Sequence, residues 1–464
     1  MTIKAASAPV VGRVPQSPTG RPAPMNPEPA RSTGRRIFPW IVFALCFALL
    51  LSDYMSRQVL AAVFVPLSQE LDLDNAQLGS LISVVALMVG LLTLPISILA
   101  DRWGRVRSLV VMAVVWSVAT AACAVAQSYE QLLAARFVVG VGEAAYGSVG
   151  IALVLSLFAP RIHAALAAAF MAGGSFGTMV GTGMGGLIAV HLGWRWSVAS
   201  MAVLGLILVA AFRIVVTEKR LRENQAPDAE TPADTEPTDG AQAGRAPLSS
   251  LFTNPAVLCA YFGSGLQMFG AAVLLTWLPT YFKQDYGLSI DKAGGMAAIF
   301  VMLVGTGMIG CGFLADRVSI TDPTRKWTVG VMFCMISFIA LMVAFRLPPG
   351  TGQLVLLGVG AFFAAGSSGT TAAMVAALTH KTVRASAMGT LTLANNLLGL
   401  AIAPILIGML ADSLGLTGAL KLAPLAYLPA AVFMIFGKRL HPAGLARLNS
   451  LKLTGAATTE AAHS

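Results

Sequence analysis

Charge is what this sequence has least of. Asp, Glu, Lys and Arg make up 11% of its 464 residues, against about 25% in soluble domains. A chain so poor in charge cannot give a globule of this size a solvated coat, which argues against a soluble enzyme. Cysteine is scarce as well: Cys46, Cys123, Cys259, Cys311 and Cys334 all fall inside apolar runs. There they read as small core residues rather than disulfides. His and Cys nowhere gather at metal-site spacing, so no metal is expected. A Walker loop, a nucleophile elbow and a Gly-rich nucleotide fingerprint are all missing. ATP-driven pumping and enzymatic catalysis therefore have no residues to carry them, and no cofactor is called for. Basic grooves interleaved with aromatics are also lacking, so nucleic acid is not an expected partner. Before Ile37 no apolar core appears, and residues 1–36 do not resemble a cleavable signal.

What the chain has in abundance is long apolar runs. Hydrophobic residues make up 56% of it and its mean hydropathy is +0.76. About 20 apolar residues cross a bilayer as a helix. Twelve such segments can be drawn: 39–65, 77–100, 107–127, 131–158, 164–190, 196–217, 256–282, 293–315, 327–346, 352–379, 385–411 and 417–437. Each ends near Gly, Pro or charge. They are too long and too continuously apolar for barrel strands, and a helix satisfies its own backbone in lipid. The expected fold class is an all-α membrane protein of twelve transmembrane helices in two six-helix bundles.

Lys and Arg set the orientation. With both termini cytoplasmic, 23 of the 31 basic residues lie on the inside, and five lie in outside loops. An odd number of helices would spoil that bias. The net charge of +10 then serves topology and attraction to lipid headgroups. Between the sixth and seventh segments runs the polar, Pro/Ala/Glu-rich stretch TEKRLRENQAPDAETPADTEPTDGAQAGRAPLSS, which cannot bury a core. The expected organisation is a disordered N-terminal tail over 1–36, a first bundle over 37–217, a cytoplasmic linker over 218–252, a second bundle over 253–440 and a C-terminal tail over 441–464. The halves echo each other. SILADRWGR follows the second segment and GFLADRVS follows the eighth, as in a duplicated transporter.

That loop resembles the signature of the major facilitator superfamily. The first copy, Ser97 to Arg105, has Ser where a leading Gly is usual and Val106 where a second basic residue often stands; the second, Gly312 to Arg317, keeps the front and loses the rear. The resemblance implies a cytoplasmic latch built from Asp101, Arg102, Arg105, Asp316 and Arg317. LAARFVVGVGEAAYGSVG, LGWRW, TWLPTYF and LANNLLGLAIAPILIGMLADSLG are similar to the Spinster-like branch and the neighbouring anion:cation symporter branch. A monomer is what the superfamily resemblance favours.

Four charges lie at membrane depth: Asp53 and Arg57 in the first segment, Arg136 and Glu143 in the fourth. Each costs about 2.5–3.5 kcal/mol on insertion scales, so such residues face a wet cavity or a partner. The spacings i,i+4 and i,i+7 put each pair on one helix face. Arginine does not deprotonate in proteins, whereas a carboxylate between desolvation and a cation can change its protonation with conformation. Glu143 is therefore the first candidate for proton coupling and Asp53 the second. Either pair can also be read as a local ion pair that serves packing alone. In related proteins the first-helix motif reads like N-Y-x-D-R; here it is Asp53-Tyr54-Met55-Ser56-Arg57, as though the carboxylate had moved one turn. Candidate substrate contacts are Arg57, Tyr54, Arg136, Tyr146, Gln267, Asn395 and Asn396. The glycines of AGGSFGTMVGTGMGG, among them Gly177, Gly181, Gly185 and Gly186, read as close helix packing.

The expectation is an inner-membrane secondary transporter working by alternating access, with protons and a small organic anion as its cargo and lipid around it. A Spinster-like carrier of lysolipids or amphiphiles, a drug exporter, and a non-transporting sensor or scaffold are the rivals.

Overall fold

The computed structural model describes residues 33–159, 162–224, 250–320, 322–380 and 383–461. Most of the expected N-terminal tail and residues 225–249 of the expected linker lie outside these. The first half comprises α1 (Thr33–Ala62), α2 (Phe64–Leu71), α3 (Asn75–Trp103), α4 (Arg105–Val125), α5 (Tyr129–Glu143), α6 (Tyr146–Leu155), α7 (His163–Leu192) and α8 (Trp194–Val215). Two short helices follow, α9 (Glu218–Asn224) and α10 (Ser250–Thr253). The second half comprises α11 (Pro255–Asp285), α12 (Ile290–Val318), α13 (Arg325–Ala344), α14 (Thr351–Phe363), α15 (Ser368–Leu378), α16 (Arg384–Ala394), a π-helical turn (Asn395–Ala401), α17 (Ile402–Leu414), α18 (Leu416–Leu422) and α19 (Tyr427–Ala461).

Eleven stretches among the described residues have the length and hydropathy to cross a membrane. The 30-residue α7, about 45 Å long at 1.5 Å per residue, is the twelfth crossing. Among the described residues the fold is all-helical, with twelve crossings in two bundles. Large apolar side chains point outward, as lipid requires: Ile214, Val125 and Phe313 are each more than 70% exposed.

The sequence explains where helices start and turn. Asp74 caps α3 by accepting from the Gln77 N–H at 2.6 Å, while the Gln77 side chain accepts from the Asp74 N–H at 3.1 Å. Asn254 caps α11 ahead of Pro255, which fits a first helical position. Three crossings reverse without a loop, at Gly104, Gly193 and Gly415, with φ of 92°, 88° and 73°. Only glycine takes that backbone conformation cheaply, so one residue does what a loop would otherwise do.

Four of the twelve expected helices are interrupted among the described residues. The first breaks at Val63 between α1 and α2, the fourth at Ala144–Ala145 between α5 and α6, the tenth at 364–367 between α14 and α15, and the twelfth at a 3-10 turn, Ala423–Ala426, between α18 and α19. The eleventh carries the π turn. Breaks at these depths need polar partners for the freed backbone groups, and Thr93 supplies one by donating to the Ala144 carbonyl at 2.6 Å. The chain is also more helical at the ends of the halves than polar composition suggests. α9 buries Leu221, and α19 runs through Pro442 to Ala461.

The face of the bundle where α1 begins is called proximal here, and the opposite face distal. Distally the halves are fused. One buried apolar cluster runs from Val59 and Phe64 of the first half to Trp277 and Tyr281 of the second, with the Phe64 and Trp277 ring centroids 5.4 Å apart. Proximally the halves have separate clusters, one around Val42, Trp116 and Phe170, the other around Cys311 and Phe333. The two bundles therefore meet at the distal side and part toward the proximal one.

Candidate functional site

The site is built where α1 crosses the broken fourth crossing. Residue 53 lies 16 residues into the membrane from Ile37, about 24 Å along the helix. Asp53 and Glu143 are each 2% exposed. Arg57 keeps 21% of its side chain open and stands between them. Its Nε–H donates to Asp53 Oδ1 at 3.3 Å, and Nη2 donates to Asp53 Oδ2 at 3.5 Å. The same Nε lies 2.7 Å from Glu143 Oε2. Since that N–H is aimed at Asp53, the Glu143 contact is an ion pair rather than an aligned hydrogen bond. The guanidinium also sits 5.1 Å from the Tyr54 ring centroid, a cation–π contact.

Arg57, not Arg136, holds Glu143. Seven residues along a helix is about 10 Å of rise, too far for the Arg136 guanidinium to turn back to its own helix mate. α1 passes alongside instead. Arg136 is 2% exposed and donates to main-chain carbonyls: Leu81 at 3.1 Å, Ser56 at 3.3 Å and Arg57 at 3.4 Å. It ties α1 and α3 to α5 just beneath the ion pairs. Two carboxylates and two guanidiniums thus share one buried region, yet only one guanidinium touches either carboxylate.

Ser56 belongs to the site and was not among the expected contacts. Its hydroxyl donates to Glu143 Oε1 at 3.1 Å and lies 2.8 Å from the Asp53 carbonyl. The signal was present in the sequence as the polar residue replacing the usual aspartate. Tyr146, by contrast, points away. Its hydroxyl donates to the Cys46 carbonyl at 3.0 Å, and its ring packs edge-on to Trp116.

The second half presents amides and hydroxyls. Gln267 Oε1 accepts from the Ser367 N–H at 3.1 Å and from the Ser367 hydroxyl, so α11 stitches the break in the tenth crossing. Asn396 donates to the Thr392 carbonyl at 2.9 Å. Asn395 opens the π turn, and its buried Oδ1 has no hydrogen-bond partner among the described residues. π turns are frequent at functional positions because they redirect side chains.

Of the expected latch, Arg102 and Arg317 are exposed and Arg105 is half-buried. Asp316 pairs with Lys326 of α13 at 2.7 Å, its own side chain 72% exposed. The Asp101 side chain lies outside what is described.

The sequence profile described as the Major Facilitator Superfamily matches residues 45–368. The chain belongs to that superfamily. It is 26% identical over 334 residues to the probable L-galactonate transporter of Escherichia coli K12, covering 70% of this chain and 73% of that one. With the hexuronate transporter of Bacillus subtilis it shares 26% over 322 residues, 67% and 74% of the two chains. Protein spinster of Drosophila melanogaster is 26% identical over 265 residues, 56% of this chain and 41% of its own. A bacterial homologue of Spinster, solved inward-facing and unoccupied, superposes with a TM-score of 0.77 at 17% identity, covering 88% and 98%. Superfamily members move solutes and are not enzymes, and this chain is a multi-pass membrane transporter.

The glycine-rich stretch is explained by packing. A Cβ at Gly177 would meet the Leu51 carbonyl at 2.5 Å, and one at Gly181 would meet Met55 Cα at 2.7 Å. Gly185 likewise faces Val59, while Gly186 turns to the Ile290 carbonyl of α12. α7 is thus the axle between α1 and the opposite half.

Proposed function

We propose that this transporter carries a small organic anion coupled to protons, in the inner membrane with both termini cytoplasmic and the open proximal side facing the cytoplasm. The observation that supports it is Arg57 shared between Asp53 and Glu143. A substrate carboxylate arriving at the exposed edge of Arg57 must displace one of those carboxylates. A buried carboxylate left without its cation is too costly to stay charged, so it takes a proton as the anion binds. Release of that proton on the other side returns the carboxylate to Arg57 and expels the anion. Binding and protonation are then one event, which is what coupling requires.

Tyr54 and Ser56 would frame the carboxylate end, and Gln267, Asn395 and Asn396 the remainder. Asp101, Arg102, Arg105, Asp316 and Arg317 remain proposed latch residues of the proximal face. Names among the relatives favour the same class, since L-galactonate and hexuronate are small organic anions. Proteoliposomes test the proposal. Uptake of a hexuronate or an aromatic acid should rise with an imposed pH gradient and acidify the lumen. Substrate uptake without proton movement would overturn the coupling.

A further inference from the structure

Leu410-Ala411-Asp412 repeats Leu99-Ala100-Asp101 and Leu314-Ala315-Asp316, and like Asp101 it stands three residues before a left-handed glycine corner. Asp316 turns to a lysine of its own half. Asp412 crosses to the other half. Its Oδ1 accepts from the Asn75 backbone N–H at 2.9 Å and from the Asn75 side-chain amide at 2.8 Å; its Oδ2 accepts from the Ala76 N–H at 2.9 Å. These backbone donors belong to the first turn of α3, where N–H groups have no intrahelical acceptor and the helix dipole favours an anion. The third donor of that turn, Gln77 N–H, goes to Asp74 of the same half. The start of α3 is therefore capped jointly, by one carboxylate from each half of the molecule.

The backbones around this contact are pressed together. A Cβ at Gly79 would collide with the Pro404 carbonyl, and one at Gly408 with the Asn75 carbonyl. α3 and α17 can come close enough for Asp412 to reach only because both positions lack a side chain.

We propose that Asp412 is the clasp of the distal gate: it holds the distal side shut and must release all three hydrogen bonds each time that side opens. The clasp acts on the balance between distal-closed and distal-open states, not on substrate or proton binding, so it stands apart from the function proposed above. A mutation here shifts which side is open while leaving the ion cluster around Arg57 untouched.

Thiol labelling of the purified full-length protein tests it, with the five native cysteines, all buried, providing the background. A reporter at Ala298→Cys sits in the distal contact, 9% exposed and facing Gly183 of α7. A reporter at Leu94→Cys sits on the proximal part of α3, 49% exposed and 3.4 Å from a Cβ at Gly389. In Asp412→Ala, which loses all three hydrogen bonds, labelling at 298 should rise at least about tenfold, the factor even one charge-assisted hydrogen bond is worth, while labelling at 94 falls. Asp412→Asn keeps one acceptor oxygen and should give a smaller shift in the same directions. Unchanged labelling at both sites in Asp412→Ala would overturn the proposal. So would a rise at both sites, which would mean general loosening of the fold.

Discussion

Replacing Glu143 by glutamine separates coupling from binding. The substitution is nearly isosteric, and a glutamine carbonyl can still accept from the Ser56 hydroxyl, now 3.1 Å from Glu143 Oε1. What is lost is the charge 2.7 Å from Arg57 Nε. At an effective dielectric of about 20, that attraction is on the order of 6 kcal/mol before desolvation is subtracted. Arg57 retains Asp53, so the guanidinium stays paired and the protein should fold. With its competitor gone, Arg57 should hold a substrate carboxylate more tightly, and counterflow exchange should persist with a lower half-saturation. Accumulation should fail. Each coupled proton crossing a one-unit pH gradient supplies about 1.4 kcal/mol, or tenfold accumulation. Proteoliposomes that concentrate substrate tenfold with the wild-type protein should therefore fall to an internal-to-external ratio near one. Wild-type accumulation and pH dependence in Glu143→Gln would refute the reasoning and pass the coupling role to Asp53.

Three further outcomes are expected. The double change Asp53→Asn with Ser56→Asp places a carboxylate where the Ser56 hydroxyl now touches Glu143; like charges at that range share a proton, so the pH optimum for uptake should shift, and an unchanged profile would speak against a functional helix-one carboxylate. Gly181→Leu forces α7 from α1, because even a Cβ would lie 2.7 Å from Met55 Cα; overpacking costs about 1–3 kcal/mol, and the melting temperature should fall by several degrees. The third concerns the distal surface, where Glu70 accepts from the Trp194 indole at 2.6 Å and pairs with Arg195 at 2.8 Å. The indole N–H first, and Arg195 with it, holds the Glu70 carboxyl below its usual value of 4.5. A lowered carboxylate stabilises the fold above the unfolded pKa and loses that contribution as pH falls through the folded one. Glu70→Gln should cost about 0.5 kcal/mol at pH 7, the scale of an exposed pair, and little at pH 3; equal destabilisation at both would rule out the charge.

Twelve crossings, two halves and the four deep charges were all legible in the linear chain. Each rests on a property of the chain itself: hydropathy over about 20 residues, a polar linker between two copies of the LADR motif, and the cost of a lone charge in lipid. The Asp53–Arg57 pair was legible for the same reason, since a helix brings i and i+4 together wherever it lies. Partners from different helices were not. Nothing in the spacing of Arg136 and Glu143 says that α1 passes between them and hands Glu143 to Arg57, leaving Arg136 for three carbonyls. The helix breaks at 144–145 and 364–367 escaped hydropathy because residues on both sides stay apolar; only neighbouring polar groups such as Thr93 and Gln267 make the breaks tolerable. The partners of Asp412, Asn75 and Ala76, lie 337 and 336 residues away in the chain, and only the packing of α17 against α3 brings them together. Helix formation in a membrane is decided locally, by backbone satisfaction and apolar length, whereas the choice of partner for a buried charge depends on which surfaces the packed halves bring within 3 Å.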